Sequence, residues 1–300
     1  MRVFLTGATG FIGSRILPEL LALGHEVIGT TRSDAGAEAI TAAGGTPFHA
    51  TLEDPAGLAA GAEEADAVIH TAFDHNFANF EANCDKDRRV IEALGTVLKG
   101  SDRPLMITSG TGMGDAGDGQ PAREDVCNFH HPNPRIASEL AGEALLQAGM
   151  NVSVMRLPQV HDTERQGLIT SYIQIALQTG KLGYVGEGMN RWPAAHVSDV
   201  ARLYAMAIGM TEPGMRFHAV AEEGITARAI AGVLAQGLGL PVVSVPAEEA
   251  PVQFGWLAGL LALDMAASSA LTRARTGWKP TGPDLLSDLR GMDYARILAG

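Results

Sequence analysis

Short apolar runs alternate with helix-period stretches through the first half of the chain. Residues 2–6 read as a strand, and residues 13–23 as a helix with Ile16, Leu17, Leu20 and Leu21 on one face, stopped by Gly24. Further strands are predicted at 25–30, 47–50, 67–72, 105–109 and 152–157, and helices at 35–43, 85–98 and 134–148. Continuous apolar strands spaced by helices predict a parallel sheet covered on both faces, joined by right-handed crossovers. The fold class is therefore α/β, a doubly wound parallel Rossmann sheet. Past Leu157 the alternation loosens. Residues 180–193 are Gly-rich, 198–208 look helical with Ser198 or Asp199 as cap, and 217–221 suit one more strand. The predicted division is a dinucleotide-binding domain at 1–157 with 193–221 returning to it. Residues 158–192 and 222–300 form a smaller C-terminal substrate lobe.

Composition narrows the function. The chain has 300 residues, 46% of them hydrophobic, enough for a packed core. A net charge of −12 disfavours nucleic acid and acidic membrane surfaces as partners. The apolar stretch 254–271 is broken by Asp264 and reads as a core or lid helix rather than a membrane span. Cys84 and Cys127 make neither a disulfide framework nor a zinc site. The opening lacks a signal-peptide layout, so a reduced, cytoplasmic setting is expected.

The main chemical signal is Gly7-Ala8-Thr9-Gly10-Phe11-Ile12-Gly13, which follows a strand and opens a helix. Gly7 permits the tight turn, Gly10 lets the backbone approach a pyrophosphate, and Gly13 allows close helix–strand packing. The helix N-terminus then faces the anion. At the end of the second strand, Arg32 and Ser33 stand where a carboxylate would bind the ribose of NAD. A guanidinium fork suits a 2′-phosphate, so the expected cofactor is NADP(H). Asp34, next to them, weakens that preference.

The run from Thr6 to Gly13 resembles the signature of extended and atypical short-chain dehydrogenases/reductases, a family that includes sugar-nucleotide epimerases, dehydratases and dihydroflavonol-type reductases. His70-Thr71-Ala72-Phe73 is similar to the family's segment beneath the adenine–ribose side of the cofactor. Residues 107–111 are similar to its Ser/Thr-rich segment, and Pro158-Gln159, within 156–161, to the segment lining the nicotinamide. Residues 196–200 and 278–280 resemble its capping element and C-terminal turn. The family's dimers use a helix pair that here comprises 85–98 and 134–148, so the resemblance implies a homodimer.

One departure is central. The family's acid/base is Tyr-x-x-x-Lys, and here Arg135 and Glu139 stand in those places; no Tyr-x-x-x-Lys occurs anywhere. Arginine stays protonated, so Arg135 is a candidate anion clamp or oxyanion stabiliser rather than a general acid. Ser109 and Thr111, just past a strand end, are candidates to orient a carbonyl. His131, with its neighbour His130, and His161 are candidate proton donors, as is His75 beside Asp74. Arg191, in Asn190-Arg191-Trp192, either binds an anionic group or anchors the loop. His196 reads as structural. No cluster has metal-ligand spacing. The expected function is an NADPH-dependent reductase of a small ketone or aldehyde with a non-standard proton donor. The alternative is a catalytically silent NADP(H)-binding regulator, and a sugar-nucleotide epimerase or dehydratase is disfavoured by the missing dyad.

Overall fold

Seven parallel strands form the centre of the computed structural model, which describes residues 1–299. The chain alternates β1 (Arg2–Thr6), α1 (Gly13–Ala22), β2 (Glu26–Thr31), α2 (Asp34–Ala42), β3 (Thr46–His49), α3 (Pro55–Ala62), β4 (Ala67–His70), α4 (Phe80–Leu98), β5 (Leu105–Gly110), α5 (Ile136–Gln147) and β6 (Val152–Leu157). It then runs through β7 (Gln159–His161), α6 (Leu168–Thr179), β8 (Leu182–Val185), β9 (Arg191–His196), α7 (Val197–Ala207) and β10 (Arg216–His218). The remainder holds β11 (Glu222–Thr226), α8 (Ala227–Leu238), β12 (Val242–Val245), α9 (Ala250–Phe254), α10 (Ala258–Ala262), α11 (Ala270–Thr276), α12 (Leu285–Arg290) and α13 (Tyr294–Ala299). The central order is β10-β6-β5-β4-β1-β2-β3. The order reverses between β1 and β4, and a doubly wound sheet offers its ligand crevice beyond the strand ends at such a point.

Two buried layers flank this sheet. One packs Ile16, Leu17 and Leu20 of α1 with Val200, Leu203 and Tyr204 of α7. The other packs Leu58 of α3 with Val90, Ile91 and Leu94 of α4 and Leu145 of α5. A separate cluster gathers α6, α8, Trp192, Phe254, Leu257 and Leu289 into a lobe. Two small sheets support it, β11-β9-β7 and a parallel β12-β8 pair.

Several elements differ from the sequence reading. The seventh strand is Arg216–His218, and α4 begins at Phe80. Residues 254–271 hold short helices rather than one. The cap of α7 is His196, whose Nδ1 accepts the Ser198 N–H at 3.3 Å. Asp199 instead accepts the N–H groups of Thr281 (2.9 Å) and Gly282 (2.8 Å), while the Trp278 indole donates to its carbonyl at 3.0 Å. Trp278 belongs to the core under α1 and α7, and α11 packs on β10, with Thr272 Oγ1 accepting the His218 N–H at 2.8 Å. Residues 270–278 thus sit with the large sheet, not with the lobe to which the sequence assigned them. No helix among the described residues is long and apolar enough to cross a membrane.

Candidate active site

The turn after β1 is shaped to the width of a methyl group. Gly7 has φ 72°, and a Cβ there would lie 2.9 Å from the Ala72 nitrogen and 3.0 Å from Thr71 Oγ1. A Cβ on Gly13 would lie 2.1 Å from the Gly7 carbonyl oxygen, which fixes α1 against the turn. Gly10 is exposed and no side chain caps α1, so the helix start stays open to an anion, although the Ser14 and Arg15 N–H groups are already bonded to the carbonyls of Gly10 (3.0 Å) and Ile12 (2.9 Å). Thr6 ties the turn to the next strand: its Oγ1 accepts the N–H groups of Thr71 (3.1 Å) and Ala72 (3.2 Å), and its carbonyl accepts Thr71 Oγ1 at 2.7 Å. These features fit a dinucleotide pyrophosphate. Thr9 is exposed, and Phe11 and Ile12 are half-buried against the main core.

Arg32 is exposed at the end of β2. The neighbouring Asp34 leans toward His49, 3.9 Å away. Ser33 already caps α2, accepting the Gly36 N–H at 3.2 Å, so only its hydroxyl proton remains for a phosphate. Pro158 is half-buried. Gln159 is not the open amide its place suggests. It is buried, and its Nε2 donates to the carbonyls of Val160 and Gln166.

The places of the missing dyad are filled by two ion pairs, one partly and one wholly buried. Arg135 Nη1 donates to Asp87 Oδ2 (2.6 Å) and Ser138 Oγ (2.5 Å), Nη2 donates to the Thr108 carbonyl (2.7 Å), and the guanidinium lies 4.1 Å above the Phe73 ring. Asp87 also accepts His70 Nε2 at 3.0 Å and Ser138 Oγ at 2.6 Å. Nδ1 of His70 meets Thr6 Oγ1 at 2.7 Å. With His70 donating to Asp87, Nδ1 accepts the Thr6 hydroxyl, and one chain of hydrogen bonds joins Arg135 to the glycine turn. Burial alone would raise the Asp87 carboxyl, but Arg135, His70 and Ser138 hold it well below the usual carboxylate range. The clamp expected at Arg135 is therefore largely committed to protein partners.

Glu139 forms a bidentate pair with Arg156, both bonds 2.7 Å and both side chains wholly buried. Burial raises the Glu139 carboxyl and Arg156 outweighs it, giving a net lowering. Cys127 donates to Glu139 at 3.1 Å; burial and that carboxylate push the thiol up to about 12. His218 completes the cluster. Its Nδ1 donates to the Ser268 carbonyl at 2.8 Å and its Nε2 faces Arg156 Nη1 at 3.3 Å. Burial, then Arg156, drives its pKa down to about 3.

The catalytic candidates separate clearly. Ser109 is 4% exposed, and its hydroxyl is turned toward the Glu139 carboxylate rather than toward the crevice. Thr111 opens a 3-10 turn (Thr111–Gly114) and is largely buried. His161 is wholly buried, with Nδ1 2.7 Å from Asp288 and its ring edge-on to His196. Such a pair knits β7 to α12 and β9, so the structure places His161 away from any open proton-transfer position. Arg191 is an anchor, paired with Asp264 at 2.7 Å. His130 is exposed, whereas His131 is half-buried beside the turn after β5. A Cβ on Gly112 would lie 3.7 Å from His131 Nε2. Nδ1 of His131 accepts the Asn133 N–H at 3.1 Å, which assigns the proton of the neutral ring to Nε2. Burial lowers the His131 pKa, against a smaller opposing pull from Asp115.

Asp87 carried no signal in the sequence, and His70, Ser138 and Arg156 stood out only as members of family-like segments, with no role of their own. The signal for Arg156 was present, since a charged residue inside an apolar strand requires a buried partner.

Glycine turn, parallel sheet and strand-end crevice together define a Rossmann dinucleotide-binding protein of short-chain dehydrogenase/reductase architecture. The chain belongs to the NAD dependent epimerase/dehydratase family, whose model matches residues 3–219. It is 43% identical over 295 residues to an uncharacterized protein of Schizosaccharomyces pombe, covering 98% of this chain and 100% of that one. It is 27% identical over 248 residues to vestitone reductase of Medicago sativa, covering 72% and 76%. Its fold is similar to that of a dTDP-glucose 4,6-dehydratase from Streptomyces venezuelae solved with NAD and TYD bound. There the TM-score is 0.77 at 20% identity, covering 99% of this chain and 97% of that one.

Proposed function

We propose that this protein is an NADPH-dependent reductase of a ketone or aldehyde in which His131 takes over part of the missing tyrosine's task. The observation that carries this reading is the placement of His131: half-buried beside the turn after β5, with Nε2 as its protonated nitrogen. Gly7, Gly10 and Gly13 hold the pyrophosphate, Thr71, Ala72 and Phe73 run beneath the adenine–ribose side, and Arg32 with Ser33 receives the 2′-phosphate. When bound, a reduced nicotinamide supplies the hydride for a carbonyl carbon. His131 then donates a hydrogen bond from Nε2 to the carbonyl oxygen as negative charge develops there. A neutral ring is a weak acid, so water delivers the proton. Thr111 steadies the same oxygen. Arg135 acts at one remove, holding Phe73 and the Thr108 carbonyl in place. That the Medicago sativa relative is a reductase supports the reaction class.

A second reading is a cofactor-binding regulator without turnover. It is favoured by the locking of both dyad positions, Arg135 and Glu139, into ion pairs with buried partners. One experiment separates the two. Purified protein is titrated with NADPH and NADH, and loss of nicotinamide absorbance is followed with a panel of ketones and aldehydes, for wild type and His131→Ala. Consumption that falls in the variant supports the reductase. Tight NADPH binding with no consumption by any carbonyl supports the regulator.

A further inference from the structure

Aromatic residues make up only 5% of this chain, yet several gather in one place. The segment after β4 carries Phe73, His75, Phe77 and Phe80. Phe73 meets His75 at 5.3 Å and Phe80 at 6.1 Å, both edge-to-face. Phe77 lies 6.2 Å from His75 and 5.8 Å from Phe80. From the lobe, Trp256 stacks on Phe77 at 4.8 Å, with the planes 12° apart. The row begins at Arg135, whose guanidinium covers Phe73. It is also joined to His131: His131 accepts the Asn133 N–H, and the Asn133 side chain accepts the Arg135 N–H at 2.9 Å. A strip of rings therefore runs from Arg135, in the same loop as His131, to the surface of the lobe.

The strip is not simply core. Trp192 and Trp278 are 2% exposed, whereas Trp256 is 50% exposed, and His75 also reaches the surface. Polar groups along it are already engaged. Asn76 caps the following turn and its carbonyl accepts from Asn83, while Asp74 is paired with Lys86 at 2.9 Å. Arg135 is bonded to Asp87, Ser138 and the Thr108 carbonyl. Little remains to bind the diphosphate or hydroxyls of a sugar nucleotide. The exposed part of Trp256 remains at the outer end, and such an aromatic surface favours another aromatic ring over an alkyl chain of equal size.

We propose that the substrate is a flat aromatic carbonyl compound whose ring system lies along the Phe73–Phe77–Trp256 strip, with its carbonyl directed toward His131. The inference rests on the reductase reading and names the substrate class for that site. Trp256 is the specificity-determining residue at the outer end.

The test measures binding, so turnover is not needed. Calorimetry in saturating NADP+ compares 2-acetylnaphthalene with 2-dodecanone, ketones of equal carbon number, on wild type, Trp256→Leu and Trp256→Phe. The aromatic ketone is expected to bind wild type about tenfold tighter, an advantage within reach of one or two ring contacts. Trp256→Leu should lose most of that advantage, Trp256→Phe should keep it, and affinity for 2-dodecanone should change little. Equal binding of the two ketones, or an advantage that survives Trp256→Leu, overturns the proposal. So does a shift of Trp256→Leu from dimer to monomer in sedimentation, because the strip would then be an interface between copies. Aromatic binding without NADPH consumption would sink the reductase reading and leave the strip intact. Consumption with aliphatic ketones alone would do the reverse.

Discussion

Glu139 and Arg156 meet through two parallel hydrogen bonds, and neither side chain reaches solvent. A carboxylate thus stands where the family resemblance calls for a lysine ammonium, and a strand arginine stabilises it. Removing one member leaves the other charge buried and unpaired. Glu139→Gln is expected to lower stability by about 3–5 kcal/mol, read from urea unfolding. The double variant Arg135→Tyr/Glu139→Lys rebuilds the family motif in sequence only. It should unfold more easily still and gain no activity, because the introduced ammonium would face the Arg156 guanidinium.

His131 gives a prediction about rate. His131→Ala should reduce kcat by about a hundredfold or more, the scale for losing one oxyanion donor, while the Kd for NADPH stays unchanged. Because its pKa lies below the ordinary histidine value, the neutral ring dominates throughout the neutral range. The rate should be flat there and fall only in acid, as protonation displaces the Asn133 N–H from Nδ1. A wild-type profile that rises as the solution is made acidic would contradict this role.

Arg32 gives a prediction about cofactor choice. Arg32→Ala should weaken NADPH binding by about ten- to a hundredfold, as expected for a hydrogen-bonded charge pair, and leave NADH nearly unchanged. Salt should weaken NADPH binding to wild type more than to the variant, since Arg32 is exposed. Parallel losses for both cofactors would assign Arg32 a structural role instead.

Much of the large sheet was legible because its strands are continuous apolar runs, as at β1, β4 and β5, and because the glycine turn sits between strand and helix. The lobe was less so. β8 and β12 have four residues each, β12 is largely exposed, and β9 contains Pro193, which usually argues against a strand. In α3 the residues are nearly all small and apolar, so no face stands out. At the site, position told where Arg135 and Glu139 lie but not what they touch. Asp87 and Arg156 are far from them in sequence, and only folding brings each pair together.

His218 links this buried chemistry to pH. It is neutral in the folded state, with a pKa of about 3, whereas an unfolded histidine titrates near about 6.5. The depressed value means the unfolded chain binds the extra proton first. Stability is therefore full above about pH 6.5 and declines toward about pH 3, by at most about 1.4 kcal/mol per pH unit from this group. Urea midpoints measured from about pH 7 down to about pH 4 should show that slope, and His218→Asn should flatten it at the cost of a lower midpoint at neutral pH.

The place of Trp278 also bears on how the chain is made. This side chain belongs to the core that α1 and α7 share and donates to the Asp199 carbonyl, so that core is completed by one of the last packing residues. During synthesis the N-terminal half leaves the ribosome long before its covering is available. A nascent chain paused before that point has an open flank, the kind of surface that chaperones guard. By the same logic, a premature stop codon shortly upstream of Trp278 would leave open the core that backs the distant glycine turn.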